Sequence, residues 1–295
     1  MTEVILGTAN FGNPYGILNK KIGVATVTTQ EAINLIKYCK SVGIRKFDTA
    51  STYGPAIDIL ESYLVSDADI EVLNKISWVD GSLDSFGAYE REIAKLMESP
   101  IGEATSIIQW HNWDGNTLDL ERISEIQSKV RLSHGVGFGV TTYGVANAEM
   151  AVSAQCFDSI QFEYNVLNQR IIQVLSKNIL NTPCKYIVRS ILLQGLLPSY
   201  DYVSPHLPLK LIEAVNRFQS ISNSWRLTPL EVAIRSMLNY PIKADLVIGA
   251  TSINEIEEIL ECVAKGPLPV ELFDQIIQLR SYDETLADPR NWKKT

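Results

Sequence analysis

The chain has 295 residues, of which 46% are hydrophobic, and a formal net charge of −8 at pH 7. A chain this acidic has little nonspecific affinity for nucleic acid or anionic lipid, because neutralising phosphates takes clustered lysine and arginine. No apolar run approaches the roughly 20 residues that span a bilayer, and no export signal follows Met1. We therefore expect a cytoplasmic protein without a nucleic-acid or membrane partner.

Short β-rich runs alternate with amphipathic stretches, a pattern typical of βα units around a parallel sheet. Strands are predicted at residues 4–8, 45–49, 71–76, 105–110, 136–140, 159–164, 186–190 and 245–249. Helices are predicted near residues 29–42, 56–65, 84–98, 118–130, 144–154, 168–178, 228–239 and 253–263, the first with Thr29 as its N-cap. Eight parallel strands close a barrel, so the predicted fold is a (β/α)8 TIM barrel forming a single domain over residues 1–295.

Polar side chains stand at the ends of three successive predicted strands. Asp48 and Tyr53 lie where the second strand breaks into a loop, Lys75 interrupts the third, and His111 ends the fourth. Singly, each has an ordinary structural interpretation, such as a turn residue or a lysine that reaches solvent. Because barrel enzymes carry their chemistry at the C-terminal ends of the strands, we expect the four to meet at one mouth.

This set of residue types suits the reduction of a carbonyl, in which hydride addition builds negative charge on oxygen. Tyr53 is the predicted proton donor, and the Lys75 ammonium is predicted to lower the pKa of its hydroxyl. Asp48 is predicted to pair with Lys75 and hold it in place. Neutral His111 is predicted to donate a hydrogen bond to the carbonyl oxygen.

The order Asp48-Thr49-Ala50, then Tyr53-Gly54, a strand lysine and a strand histidine followed by x-x-Asp resembles the aldo-keto reductase family. The resemblance runs from about residue 3 to about residue 265 and includes residues 6–8, 135–140, 160–165 and 247–252. It implies a barrel enzyme that uses NADP(H) or NAD(H) to reduce an aldehyde or ketone, including sugar-derived ones. A bacterial branch linked to sugar and surface-polysaccharide pathways is similar at residues 7–12, 189–190 and 194–197.

The resemblance also implies which residues contact the cofactor. Gln161 matches a glutamine that binds the nicotinamide carboxamide, Thr141 and Thr142 stand where many relatives have Ser-Asn, and Arg189 replaces a stacking aromatic. Phosphates are expected at the loop after the seventh strand and at the helix start after Gly249, where free N–H groups attract anions. The further predicted contacts are Gly7, Thr8, Ser190, Leu192, Gln194, Gly249, Thr251, Ser252 and Glu255.

The choice between the two cofactors stays open. Relatives usually place a basic residue after the Gly249 position to bind the 2′-phosphate, whereas residues 250–255 contain no lysine or arginine and end in Glu255. A carboxylate near the ribose favours a free 2′-hydroxyl. The sequence contains neither G-x-G-x-x-G nor G-x-S-x-G, so a Rossmann fold and serine hydrolase chemistry have no support. Its histidines and cysteines lack the spacing of metal ligands, so no metal is expected.

Aromatic side chains follow several predicted strands and are expected to form the walls of the substrate pocket: Phe11, Trp78, Trp113 and Tyr143. Strand alternation turns Trp110 away from the site and into the core. The resemblance implies that residues 267–295 pack near the substrate pocket.

The sequence is also compatible with two other functions. The same residues serve an NAD-dependent sugar or alcohol dehydrogenase, with Tyr53 as the base. A cofactor-binding regulatory subunit, like the potassium-channel β-subunits of the family, is the alternative from another class. The intact set of four residues favours an enzyme. The substrate, reaction direction and oligomeric state are not determined by the sequence.

Overall fold

Eight parallel strands form a closed barrel in which each strand pairs with the next and β8 pairs with β1. The computed structural model describes residues 2–16, 26–64, 69–77, 85–113, 120–178, 184–199, 207–280 and 286–292. The strands are β1 Val4–Gly7, β2 Lys46–Ala50, β3 Glu71–Ser77, β4 Thr105–Trp113, β5 Gly137–Thr142, β6 Ser159–Glu163, β7 Lys185–Arg189 and β8 Ala244–Gly249. The predicted TIM barrel is confirmed. Within these ranges, no helix has the length and apolar character needed to cross a membrane.

The helices surround the barrel and are numbered in chain order. They are α1 Thr29–Ser41, α2 Ala56–Leu64, α3 Ser85–Met97, α4 Pro100–Ala104, α5 Leu120–His134, α6 Val145–Ala154, α7 Arg170–Asn178, α8 Leu209–Ser224, α9 Pro229–Met237, α10 Ile253–Ala264 and α11 Val270–Ile277. The predictions missed α4, α8 and α11. One helix was assigned to each strand, and these three are additions to that alternation.

The N-cap of the first helix is one residue earlier than predicted, Thr28 and not Thr29. The Thr28 hydroxyl accepts a hydrogen bond from the Glu31 backbone N–H at 3.3 Å, and the Glu31 carboxylate accepts one from the Thr28 N–H at 2.8 Å. This reciprocal capping box fixes Glu31 as the third helical residue and therefore fixes the cap.

The barrel interior is layered, because alternate residues of each strand point inward. An apolar cluster fills the layer at the N-terminal end of the barrel and consists of Ile5, Leu73, Ile107 and Ile187, with Val247 packed against it. Two residues further along β3 and β4, the inward positions are Lys75 and Gln109, which are register partners. The polar layer thus rests on an apolar one that excludes water from below.

Gly139 gives the polar layer its space. A Cβ atom at this position would lie 2.0 Å from the Ser159 hydroxyl oxygen. The glycine therefore lets Ser159 accept a hydrogen bond from Gln109 at 3.3 Å across β5. On the outer side of β4, Trp110 is 2% exposed and stacks on Tyr89 with ring centroids 4.6 Å apart.

Candidate active site

The four predicted catalytic residues line one cavity at the C-terminal ends of the strands. Asp48, Tyr53, Lys75 and His111 share a space of about 770 Å³. This volume is within the usual range of cofactor and small-molecule sites. The barrel thus brings β2, β3, β4 and the loop after β2 to one place.

Asp48 and Lys75 form a buried ion pair at the base of this cavity. Each residue is 1% exposed, and the Lys75 Nζ contacts both carboxylate oxygens of Asp48. A single buried charge is costly, and the pairing offsets that cost. Gln161 donates hydrogen bonds from Nε2 to Asp48 Oδ2 at 3.1 Å and to Gln109 Oε1 at 3.3 Å. The Asp48 carboxylate is therefore held by Lys75 of β3 and by Gln161 of β6.

Tyr53 lies over this ion pair. The Lys75 Nζ is 5.0 Å from the centre of the phenol ring, and the ring meets His111 edge to face at 6.2 Å. The pKa of Tyr53 is raised overall and not lowered, so the predicted net direction is wrong. Burial raises the pKa of the Tyr53 hydroxyl, and the nearby Asp48 carboxylate raises it further. These two effects outweigh any stabilisation of the tyrosinate by Lys75, and the phenol keeps its proton at neutral pH.

His111 is neutral at physiological pH. Burial lowers the pKa of its imidazole to about 3, with further contributions from the positive charges of Lys75 and Arg189. The Ser77 hydroxyl lies 3.3 Å from His111 Nδ1 and fixes the orientation of the ring. A neutral imidazole suits a hydrogen bond to a carbonyl oxygen.

The pKa of His111 has a measurable consequence. We expect the His111 imidazole, identified by the loss of its signal in His111→Gln, to show no titration by NMR between pH 8 and pH 5. In the unfolded chain this imidazole takes up a proton near pH 6.5, well above its folded pKa of about 3. The stability contributed by neutral His111 is thus present above about pH 6.5 and is lost as the pH falls towards 3. His111→Gln should therefore lose less stability than wild type between pH 7 and pH 4. Titration of the His111 imidazole near pH 6.5 would contradict this interpretation.

A second group of charged side chains forms the wall above β5, β6 and β7. Arg189 donates to the Thr142 carbonyl at 2.9 Å, and its Nη2 lies 3.5 Å from Glu163 Oε2. Its guanidinium carbon is 3.9 Å from the centre of the Tyr143 ring, and that of Arg290 is 3.4 Å from the same point. Residues 287–290 line the cavity, so the C-terminal segment reaches its mouth through the contact of Arg290 with Tyr143.

A group of acidic side chains also lines the cavity. The N–H of Thr251 donates to the Glu255 carboxylate at 2.6 Å, and the Thr251 hydroxyl lies within 3.2 Å of both carboxylate oxygens. Three more glutamates line the cavity with one lysine: Glu231, Glu258, Glu261 and Lys265. An internal carboxylate therefore holds an N–H group that would otherwise be available to an anion at the start of α10.

Most of the predicted binding residues line the cavity. They are Gly7, Tyr143, Gln161, Arg189, Ser190, Leu192, Gln194, Gly249, Thr251 and Glu255. Four predicted cofactor contacts do not line it: Thr8, Thr141, Thr142 and Ser252. The Thr8 hydroxyl is used within the barrel, donating to the Asp48 carbonyl at 3.1 Å, and Ser252 is the N-cap of α10. Thr141 and Thr142 are buried in β5.

Two of the four predicted aromatic walls are instead part of the hydrophobic core. Phe11 is fully buried, and Trp113 packs edge to face on Phe157 at 5.4 Å. Neither residue lines the cavity. Trp78 lies outside the described residues. Of the four, Tyr143 is the one that the structure places in the wall.

The predictions passed over several polar side chains that the structure brings to the site or directly beneath it: Tyr15, Gln109, Glu163 and Arg290. Two of them carried a usable signal. Gln109 precedes His111 by two positions in one strand, and Glu163 follows Gln161 by two positions in another, so each shares the inward face of its partner.

The fold is that of a (β/α)8 barrel with its cavity at the C-terminal ends of the strands. The model of the Aldo/keto reductase family matches residues 3–281, so the chain belongs to that family and is an oxidoreductase. A curated relative, oxidoreductase sirO of Leptosphaeria maculans, is 23% identical over 310 residues, which cover 92% of each chain.

Solved structures share the fold of this chain. The holo form of aldo-keto reductase AKR11C1 from Bacillus halodurans superposes with a TM-score of 0.77, at 16% identity, covering 95% of this chain and 93% of the other. The glycerol dehydrogenase AKR11B4 from Gluconobacter oxydans has a TM-score of 0.70, at 16% identity, covering 94% and 90% respectively. At this level of identity, the similarity concerns the fold.

Proposed function

We propose that the protein reduces an aldehyde or ketone to an alcohol with NADH as the preferred cofactor and Tyr53 as the proton donor. The observation that carries this proposal is the convergence of Tyr53, His111 and the Asp48–Lys75 pair in one cavity. The Tyr53 hydroxyl, whose pKa is raised by burial and by the Asp48 carboxylate, holds a proton at neutral pH beside a neutral imidazole. Both groups therefore offer hydrogen-bond donors to one carbonyl oxygen.

Each residue has a distinct part in this mechanism. Neutral His111 orients the carbonyl by a hydrogen bond to its oxygen, and the Tyr53 hydroxyl gives that oxygen its proton as negative charge develops. The Lys75 ammonium, held by Asp48, lies 5.0 Å from the phenol ring centre and stabilises the tyrosinate that forms. When bound, a reduced nicotinamide supplies the hydride.

The residues of the cavity suit a nicotinamide dinucleotide. The carbonyl oxygen of the Gln161 side chain is buried and has no hydrogen-bond partner among the described residues, while its Nε2 is used within the barrel. It is therefore an acceptor for the N–H of a carboxamide. Gly7 of β1 and Gly249 of β8 are register partners, and both line the cavity. Because neither residue has a side chain, a ligand can approach the backbone closely at these two positions.

The protonated Tyr53 hydroxyl is the form that carbonyl reduction uses at neutral pH. Oxidation of an alcohol by the same residues requires Tyr53 to accept a proton, and little tyrosinate is present at pH 7 when the hydroxyl pKa is raised. We expect any alcohol oxidation to increase steeply with pH, whereas reduction is supported at pH 7.

A binding titration tests the proposal first. NADH and NADPH are titrated separately against the protein, using quenching of its five tryptophans, followed by turnover of a panel of short and hydroxylated aldehydes. NADH binding tighter than NADPH, with aldehyde-dependent oxidation of NADH, is the expected result. Failure of both nucleotides to bind would overturn the proposal.

Cofactor preference depends on Glu255 in this account. We expect Glu255→Lys to shift the ratio of the NADH and NADPH dissociation constants towards NADPH by about 10- to 100-fold, because a repelled 2′-phosphate gains a charge-assisted contact. Glu257→Lys is the matched control, since Glu257 is on the same helix but accepts a hydrogen bond from Tyr38 and does not line the cavity. An equal change in the ratio of dissociation constants in both variants would indicate a general charge effect and would contradict the proposed role of Glu255.

A further inference from the structure

A chain of buried side-chain amides connects Asp48 to the interior of the barrel. Gln161 donates from Nε2 to Asp48 Oδ2 at 3.1 Å and to Gln109 Oε1 at 3.3 Å. Gln109 in turn donates from Nε2 to Ser159 Oγ at 3.3 Å. The three side chains beyond Asp48 are 0% exposed. The carboxylate that pairs with Lys75 is therefore also the end of a hydrogen-bonded chain that water does not reach.

The orientation of both amides follows from the carboxylate. An ionised Asp48 only accepts hydrogen bonds, so Gln161 must turn its nitrogen towards it. The same nitrogen donates to Gln109, which therefore turns its oxygen towards Gln161 and its nitrogen towards Ser159. Gln161 Oε1 has no hydrogen-bond partner among the described residues. Its amide is thus fixed through its nitrogen, and Gln109 supplies one of the two acceptors that fix it.

The barrel makes room for this chain at a single level. Gln109 of β4 and Ser159 of β6 are both register partners of Gly139 on the strand between them. Because Gly139 has no side chain, Gln109 reaches across β5 to the Ser159 hydroxyl. The inward level below is filled by apolar side chains, including Leu73 and Ile107. Packing of the barrel interior therefore does not by itself require an amide at position 109, and a satisfied buried network makes its members rigid.

We propose that Gln109 is a positioning residue for the carbonyl reduction. Its oxygen keeps the nitrogen of Gln161 on Asp48. A carboxylate held in this way keeps the Lys75 ammonium at its place, 5.0 Å from the centre of the Tyr53 ring. Gln109 does not line the cavity, so it acts through Gln161 and not by contact with a ligand. This inference rests on the proposed function, because it takes Tyr53 to be the proton donor.

The variant Gln109→Met tests the inference, because methionine fills nearly the same space without an amide. We expect kcat to fall by about 5- to 20-fold, the rate equivalent of one buried hydrogen bond, and the KM of the aldehyde to stay within about threefold. Gln109→Glu at pH 6 should recover kcat to within about twofold. A buried carboxyl group close to Asp48 stays protonated there and, like the amide, offers one acceptor and one donor.

A second series of variants shows whether the effect passes through Gln161. In a Gln161→Met background, Gln109→Met should lower kcat by no more than about a further twofold, because two residues that act through one contact are not additive. A merely structural role of Gln109 would give the same loss in both backgrounds. Equal losses in the two backgrounds would therefore overturn the assignment.

Gln169→Met is the matched control. Gln169 is also 0% exposed, donates from Nε2 to the carbonyls of Val166 at 2.6 Å and Ile276 at 2.9 Å, and does not line the cavity. Its replacement should lower the free energy of unfolding, as Gln109→Met does, but leave kcat of the folded protein within about twofold of wild type. An equal loss of kcat in both variants would overturn the assignment of Gln109.

A milder variant serves if Gln109→Met does not fold. Ser159→Ala removes the last acceptor of the chain, and we expect it to lower kcat by about two- to fivefold. An unchanged kcat in folded Gln109→Met, or in Ser159→Ala where that variant replaces it, would overturn the positioning role. Absence of NADH-dependent turnover by the wild-type protein would instead overturn the proposed function.

Discussion

Replacing Tyr53 with phenylalanine is expected to lower kcat for carbonyl reduction by about 10²- to 10⁴-fold, the usual contribution of a positioned proton donor. The dissociation constant of NADH should stay within about threefold, because the phenol ring and the Asp48–Lys75 pair beneath it remain. Stopped-flow oxidation of bound NADH by a saturating aldehyde measures this loss at the chemical step, free of product release.

Tyr38→Phe is the control for this experiment. It also removes a phenolic hydroxyl, but one that donates to Glu257 at 2.8 Å outside the cavity. Its kcat should equal that of wild type within about twofold. A Tyr53→Phe enzyme that retains more than about a tenth of the wild-type rate would show that the proton comes from another group, and His111 would be the next candidate.

The second large effect concerns stability. We expect Asp48→Asn to lower the free energy of unfolding by about 3–5 kcal/mol, because it leaves the Lys75 ammonium buried without a counter-charge. The double variant Asp48→Asn, Lys75→Met should recover most of that stability, since no buried charge remains. It should nevertheless stay nearly inactive, because the tyrosinate formed on proton transfer has lost its cation. Urea unfolding and steady-state kinetics on the same samples measure both effects.

A surface ion pair of the same type provides the comparison for this variant. Lys46 pairs with Glu3, and the two side chains are 20% and 54% exposed. Exposed pairs contribute about 0–1 kcal/mol, so Glu3→Gln should change the free energy of unfolding by no more than that. A change in the free energy of unfolding for Asp48→Asn as small as that for Glu3→Gln would contradict the claim that Asp48 compensates a buried Lys75 charge.

The barrel was predictable because its strands are short apolar runs at regular spacing, and because strand alternation repeats in each of them. The same regularity places Asp48, Lys75 and His111 at one mouth once eight parallel strands are assumed. The helices α8 and α11 were not predicted, even though α8 buries Leu211, Val215 and Phe218 at helical spacing. The expected alternation of one helix per strand left no position for them.

The pKa values of the site residues were less predictable than the identity of those residues. The sequence suggests that a lysine near a tyrosine lowers the pKa of the phenol, but the sign depends on where the compensating carboxylate lies. In the structure, Asp48 contacts Lys75 directly, and burial acts in the opposite direction on Tyr53.

The most direct test of the central claim is the transfer of label from the cofactor to the product. NADH deuterated at C4 of the nicotinamide is mixed with the wild-type protein and an aldehyde that it turns over, and the alcohol is analysed by mass spectrometry. This account predicts one deuterium on the carbinol carbon from one face of the nicotinamide, and a rate that falls by about 10²- to 10⁴-fold in Tyr53→Phe. Alcohol formed without deuterium from either face, or no alcohol from any carbonyl despite tight NADH binding, would contradict it.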